Sequence, residues 1–124
     1  MDNLPADLHE LMEKMWKKDY YVMFRKVIDA AAIPAVLPQH FGWMIDLEKQ
    51  NKVFASGPLY DKSGKQFAGL TVFRADTFED AEELAASDPF VTSGAVNFEL
   101  RRWQVNEGRI NVSIDFSDQT FSAS

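Results

Sequence analysis

The sequence predicts an α+β domain in which two helices cover one face of a four-stranded antiparallel sheet. Three observations lead there. Stretches rich in branched and aromatic residues alternate with amphipathic helical stretches in the order βαββαβ. The central pair of strands is separated only by the turn-forming run "DKSGK". The two main helices, each lying between two strands, must therefore pack on the same side of the sheet, the ferredoxin-like arrangement. At 124 residues the chain has the length of one domain. To this core the sequence adds an N-terminal helix (1–19) and a C-terminal strand with its tail (106–124), around a central domain of residues 20–105.

The first segment, "LPADLHELMEKMWKK", is amphipathic. At helical spacing Leu4, Leu8, Leu11, Met12, Met15 and Trp16 share one face, and His9, Glu10, Glu13 and Lys17 the other. Pro5 suits a first turn, and the lysines suit a C-terminal end. Such a stripe must cover the sheet or a partner subunit. "YYVMFRKVI" (20–28) is the first strand. Pro34 and Pro38 bracket a loop that leads into a helix of roughly residues 37–50. "KVFASGPL" and "FAGLTVFRA" are the second and third strands and form a hairpin.

Thr77 is placed to N-cap the helix "FEDAEELAAS", with Asp80 as a capping-box partner. Phe78, Ala81, Leu84 and Ala85 then point inward. Asp88-Pro89 ends that helix, because a residue before proline avoids the helical region. "FELRRWQV" (98–105) is the fourth strand. "RINVSIDF" follows as a strand with one wet face, joined to it by a hairpin with Gly108 in the left-handed region. The tail "SDQTFSAS" reads as frayed. The sequon Asn111-Val112-Ser113 is read as a chance match.

Composition narrows the function classes. The net charge of −6 disfavours nucleic acid as a partner, since phosphate binding needs clustered Lys and Arg. With no cysteine and two histidines, a metal site is poorly supported, and no Gly-rich phosphate loop is present. No metal or cofactor is expected. The most apolar run, "AAAIPAVLP", is too short and too broken by proline to span a bilayer, so no membrane association is expected. The sequence lacks a secretory leader pattern, and the expected location is the cytoplasm.

His40 is the residue that asks for an explanation. On the helix of residues 37–50, Leu37, Phe41, Trp43, Met44, Ile45 and Leu47 define an apolar arc of about 200°, and His40 projects inside it. A buried imidazole needs partners for its ring nitrogens. One reading is a core histidine bonded to a backbone carbonyl. The other pairs it with a carboxylate that orients the ring for acid/base work. Asp88, at the end of the neighbouring helix, is the candidate; the alternative is that Ser-Asp-Pro only closes that helix. Gly57-Pro58 marks either a close backbone approach that opens the sheet above the first helix or a plain strand end.

The stretches "HFGWMIDLEKQNKVFASGPL", "AGLTVFRADTFEDAEELAASDPF" and "FELRRW" closely resemble the YciI-like, or YCII-related, family. The resemblance runs from about Tyr20 to Gln104, and His40, Gly57-Pro58 and Asp88-Pro89-Phe90 match its landmarks in order and spacing. It implies the dimeric α+β barrel fold and a His–Asp pair in a cleft. In one branch it implies dehydrochlorination of a chlorinated hydroxyhydroquinone. His40 and Asp88 would then be catalytic, and Ser56, Gly57, Pro58, Tyr21 and Trp43 would line the substrate site. Two-fold packing of sheet on sheet would make a homodimer. The family often carries a basic residue near the turn before His40, and "IPAVLPQ" has none. An anionic substrate would have to find its positive partner in Arg25, Arg101 or Arg102.

Three functions are compatible with these residues. One is a cofactor-free isomerase, lyase or dehydrochlorinase acting on a small cyclic or aromatic oxygenated compound. Another is a non-catalytic module that binds the same kind of small molecule. The third is a structural oligomer assembled through the added helix and strand.

Overall fold

The computed structural model describes residues 5–123. The chain divides into two compact units, Asp19–Gln104 and a unit built from both chain ends, Met1–Lys18 with Val105–Ser124. The elements in chain order are α1 (Ala6–Glu13), β1 (Lys18–Val27), a 3-10 turn (Ala30–Ala32) and α2 (Ile33–Lys49). They continue with β2 (Val53–Tyr60), β3 (Gln66–Phe73), α3 (Phe78–Ala86), α4 (Pro89–Thr92), β4 (Val96–Val105), β5 (Val112–Asp115) and β6 (Thr120–Ala123).

In the central unit the sheet order is β2-β3-β1-β4. Strands β1 and β2 both pair antiparallel with β3, which sets Tyr21 opposite Phe73 and Ser56 opposite Thr71. This is the α+β, ferredoxin-like architecture predicted from the element order. Because side chains alternate across a strand, Tyr21, Met23 and Arg25 share one face of β1, and Tyr20, Val22 and Phe24 the other. The first face carries the core: Tyr21, Met23 and Phe73 pack with Leu47 of α2, Ala81 and Ala85 of α3 and Leu100 of β4. The small side chains on α3 let that helix approach the sheet closely. Thr77 caps α3 as expected, its hydroxyl accepting from the Asp80 amide at 3.0 Å.

Helix α2 starts earlier than its prolines suggest. Pro34 sits in the first turn, where its missing N–H costs nothing, and Pro38 is accommodated inside the helix. The buried arc of α2 is also narrower than its apolar arc. His40 and Leu47 are buried while Phe41 and Ile45 are exposed, because the sheet below contacts only part of the helix circumference. The "DKSGK" turn is held by Asp61, whose Oδ1 accepts from the amides of Ser63 and Lys65, and by Gly64 at φ +87°. Gly57-Pro58 does not open the sheet. Both residues stay in register, opposite Leu70 and Gly69, and the irregularities fall at Val53/Ala55 and Leu59/Tyr60. Proline is tolerated there because β2 is an edge strand.

The terminal unit differs more from expectation. Helix α1 covers eight residues and buries none of them; Leu8, Leu11 and Trp16 are exposed, and Leu4 lies outside the described residues. Strand β5 does not form a hairpin with β4, although Gly108 does take a positive φ, +158°. Instead β5 pairs with β6, so the tail forms a strand. The reason is local: Asp118 Oδ1 accepts from the Thr120 amide at 3.1 Å and its hydroxyl at 2.8 Å, which shapes the turn between them. The wet-and-dry alternation predicted for this strand is not seen either, since Ile110, Val112, Ile114 and Phe116 are all exposed. Among the described residues no helix is long and apolar enough to cross a membrane.

Candidate active site

The site grows out of the junction between α3 and α4. Ser87 closes α3, and Asp88 does more than end it: it N-caps α4, with Pro89 in the first turn. Its Oδ1 accepts from the Phe90 amide at 3.0 Å. This cap fixes the carboxylate beneath the middle of α2, where His40 Nδ1 meets the same Oδ1 at 2.8 Å. From the opposite side, Arg25 on the helix face of β1 donates through Nε to Asp88 Oδ2 at 2.6 Å. Asp88 is wholly buried, Arg25 is 6% exposed and His40 is 9% exposed.

Electrostatics fixes the charge state of this centre. Burial by itself would raise the Asp88 carboxyl, but the His40 hydrogen bond, the Arg25 charge and hydrogen bond, and the Phe90 N–H outweigh it and hold the group below its ordinary value. Asp88 is therefore an ionised acceptor, so His40 Nδ1 must donate. A neutral ring then carries its lone pair on Nε2. Phe90 stacks on the imidazole, with centroids 4.1 Å apart and planes inclined by 17°, and blocks rotation of the ring.

Arg25 extends the network. Its Nη1 donates to Thr71 Oγ1 at 2.7 Å, and Thr71 Oγ1 lies 2.7 Å from Ser56 Oγ. Ser56 Oγ also donates to the Leu70 carbonyl at 3.1 Å, so Thr71 is the donor to Ser56. Ser56 thereby ties edge strand β2 to the buried ion pair. Arg101 and Arg102 lie elsewhere, exposed and paired with Glu99 and Asp19.

His40 and Arg25 form part of the wall of a cavity of about 590 Å³. Ser56, Gly57 and Pro58 of β2 line it, and Leu37, Phe41, Met44 and Phe90 supply apolar surface. Three of the predicted site residues behave differently. Asp88 does not reach the cavity and touches it only through His40 and Arg25. Tyr21 belongs to the core, edge-on to Phe78, because it lies four residues before Arg25 on the same face of β1, at the end of the strand beside α3. Trp43 packs against the same core and donates Nε1–H to Ser87 Oγ at 2.9 Å, which joins α2 to the end of α3. Among the described residues no group of three or more His, Cys, Asp or Glu side chains converges as metal ligands would.

Thr71 and the structural role of Arg25 escaped the sequence reading. A signal was available: Arg25 falls in period two with Tyr21 and Met23, so a charged side chain was due to point into the helix-covered face.

Comparison with known proteins fits this geometry. The chain is 28% identical over 68 residues to an uncharacterised protein, YjpA, of Bacillus subtilis (strain 168), a match over 55% of this chain and 75% of that one. Its fold is similar to that of 5-chloro-2-hydroxyhydroquinone dehydrochlorinase (TftG) from Burkholderia phenoliruptrix AC1100, solved with 2,5-dihydroxybenzoquinone. The TM-score is 0.54 at 15% identity, covering 68% of this chain and 92% of TftG. The YCII-related domain matches residues 20–104, the stretch that holds nearly all of the four-stranded sheet, the α2–α4 layer and the His40–Asp88–Arg25 centre. The chain belongs to the YCII-related domain family.

Proposed function

We propose that the chain is a cofactor-free enzyme in which His40 moves a proton on a small cyclic or aromatic oxygenated compound, in an isomerase or lyase reaction of the dehydrochlorinase type. One observation carries this reading. An imidazole on a cavity wall has Nδ1 fixed by a buried carboxylate at 2.8 Å, which leaves Nε2 as the proton acceptor. The likeness to a dehydrochlorinase supports the fold and guides the choice of substrates.

In this mechanism His40 Nε2 takes a proton from an acidic O–H or C–H of the bound ring. The electron pair left behind moves into the ring. In an isomerisation, protonated His40 returns the proton at another ring position. In an elimination, protonated His40 first gives that proton to the ring carbon bearing chlorine, which makes the keto tautomer. His40 then takes the proton of a second ring hydroxyl, and the electron pair moves through the ring to form the new carbon–carbon double bond. Chloride leaves with the carbon–chlorine bonding pair, and the proton on His40 goes to solvent. No external oxidant or reductant is needed. Asp88 is a positioning residue, since it acts through His40. Ser56, Gly57 and Pro58 form the wall opposite α2 and contact substrate. One positioned acid/base group is worth about 10²–10⁴-fold in rate, enough for an activated ring.

The enzyme works as a homodimer, with residues 20–105 as the catalytic domain and residues 1–19 and 106–124 as appendages. Support for the dimer comes from the sheet face away from α2 and α3. There Phe24, Phe54 and Trp103 are 40%, 41% and 45% exposed, too much aromatic surface for a finished monomer.

The test is turnover. Chloride release from chlorinated hydroxyhydroquinones, and deuterium exchange into unsaturated lactones, are measured on wild type and on His40→Asn. A loss of 100-fold or more with an unchanged melting temperature supports the proposal. Equal turnover in the variant, or no turnover by wild type on any of these compounds, refutes it.

A further inference from the structure

The guanidinium of Arg25 is incompletely used. Nε is bonded to Asp88 and Nη1 to Thr71, while Nη2 is buried with no hydrogen-bond partner among the described residues. Leaving charged donors unmade in a buried place is expensive, and such orphans mark positions where something else completes them. Among the described residues no protein acceptor takes a proton of Nη2. Asp88 uses Oδ2 on Arg25 Nε and Oδ1 on His40 and Phe90. Thr71 passes its proton to Ser56, and Ser56 passes its own to the Leu70 carbonyl.

The wall around Arg25 narrows what the missing acceptor is. Among the described residues Arg25 and His40 are the ionisable side chains lining the cavity, and Asp88 is sealed behind them. An anion entering here meets the Arg25 guanidinium, whose charge the buried Asp88 carboxylate balances from behind, and, among the described residues, no carboxylate on the wall itself. The rest of the surface is largely apolar, with Phe41 and Phe90 for a flat ring to lie on.

We infer that the cavity takes a planar ring compound carrying one oxyanion, a carboxylate or an enolate, and that Arg25 Nη2 holds that oxygen. This rests on the reading above, in that the cavity is the substrate site, and it adds the charge and anchor of the substrate. Because Arg25 and His40 are bonded to the two oxygens of one carboxylate, the anchored anion and the proton acceptor are neighbours. Charge that develops on a ring oxygen when His40 takes a proton then falls beside a fixed cation in a secluded place.

The probes are benzoate and cyclohex-1-enecarboxylate, each compared with its neutral amide, titrated into the full chain by calorimetry. The carboxylates bind roughly 10- to 100-fold tighter than the amides, the range for a charge-assisted hydrogen bond. In parallel, the Nε and Nη resonances of Arg25 are followed in nitrogen-labelled wild type, where benzoate shifts them and benzamide does not. This measurement needs no variant. Arg25→Lys, checked for folding by its melting temperature, narrows the preference to a few fold, because an ammonium cannot serve Asp88, Thr71 and ligand together. His40→Asn keeps the preference.

Equal affinity for acid and amide, absence of carboxylate binding, or binding that leaves the Arg25 signals unmoved overturns the inference. A preference that survives Arg25→Lys and disappears in His40→Asn also overturns it, since the imidazole would then be the anchor. The two proposals fail separately. Loss of turnover in His40→Asn without any acid-over-amide preference in wild type sinks only the anchor. A retained preference with undiminished turnover in His40→Asn sinks only the proton-transfer role.

Discussion

His40 and Asp88, 48 positions apart in the chain, are joined by a 2.8 Å hydrogen bond inside the protein, and the same carboxylate carries the Arg25 ion pair on its other oxygen. One side chain therefore holds a strand, a helix and a helix start together. Removing it leaves a buried guanidinium and an unguided imidazole. Asp88→Ala should destabilise the chain by about 3–5 kcal/mol, the usual cost of breaking a buried pair by deleting one partner. Asp88→Asn keeps the volume and an oxygen acceptor for Phe90 and should cost less. Urea denaturation of the three proteins checks the order.

Acid should weaken this centre with a definite sign. Asp88 titrates below its ordinary value of 3.8 in the folded chain. Its contribution is therefore complete above about pH 4, the unfolded value, and is lost as pH falls through the lower folded value. The stability gap between wild type and Asp88→Asn should narrow on descent from about pH 4 towards about pH 2. A gap that widens over that descent would contradict the assignment of an ionised Asp88.

Phe90 links the site to the second cluster of the core. It stacks on His40 and packs with Ala95 and Val96, beside Ile33 and Leu37 of α2. Phe90→Ala should cost about 3–4 kcal/mol and free the His40 ring. Phe90→Leu should cost under about 1.5 kcal/mol while still removing the stacked face. Thermal melts measure the first effect, and line widths of the His40 ring nitrogens measure the second.

Thr77 offers a contrast outside the site. Its hydroxyl caps α3 through the Asp80 amide. Thr77→Ala should lower stability by about 1 kcal/mol, with Thr77→Ser close to wild type. Chemical denaturation is sufficient to see it, and the His40 ring resonances should not move.

The sheet face tests the homodimer. Phe24→Glu places a charge among exposed aromatics on the face away from the helices. If that face packs on a second copy, the variant should sediment as a monomer at concentrations where wild type sediments as a dimer. Identical sedimentation of the two would reject the sheet-to-sheet contact.

The order of strands and helices was legible because each rests on local causes: the period of apolar residues, the "DKSGK" turn and the Thr77 cap. The identity of His40 and Asp88 as partners was legible from their places on adjacent helices. The terminal strands were misread because β5 has two strands it could pair with, β4 or β6. The choice turned on an Asp118 turn that hydropathy does not register. Tyr21 and Trp43 pack with the core, which local pattern does not reveal, because an aromatic side chain near a site looks the same whether it faces core or cavity.

The sequence by itself determined the α+β framework, since helix and strand periods and turn chemistry are properties of short segments. It also placed an imidazole on a face otherwise built for apolar contact. Only the tertiary structure decided that Asp88 is sealed away from the cavity and that Arg25 stands beside His40 with one nitrogen unspent. Which atoms share a hydrogen bond depends on how β1, α2 and α4 converge in space, and that convergence is set by packing of the whole core.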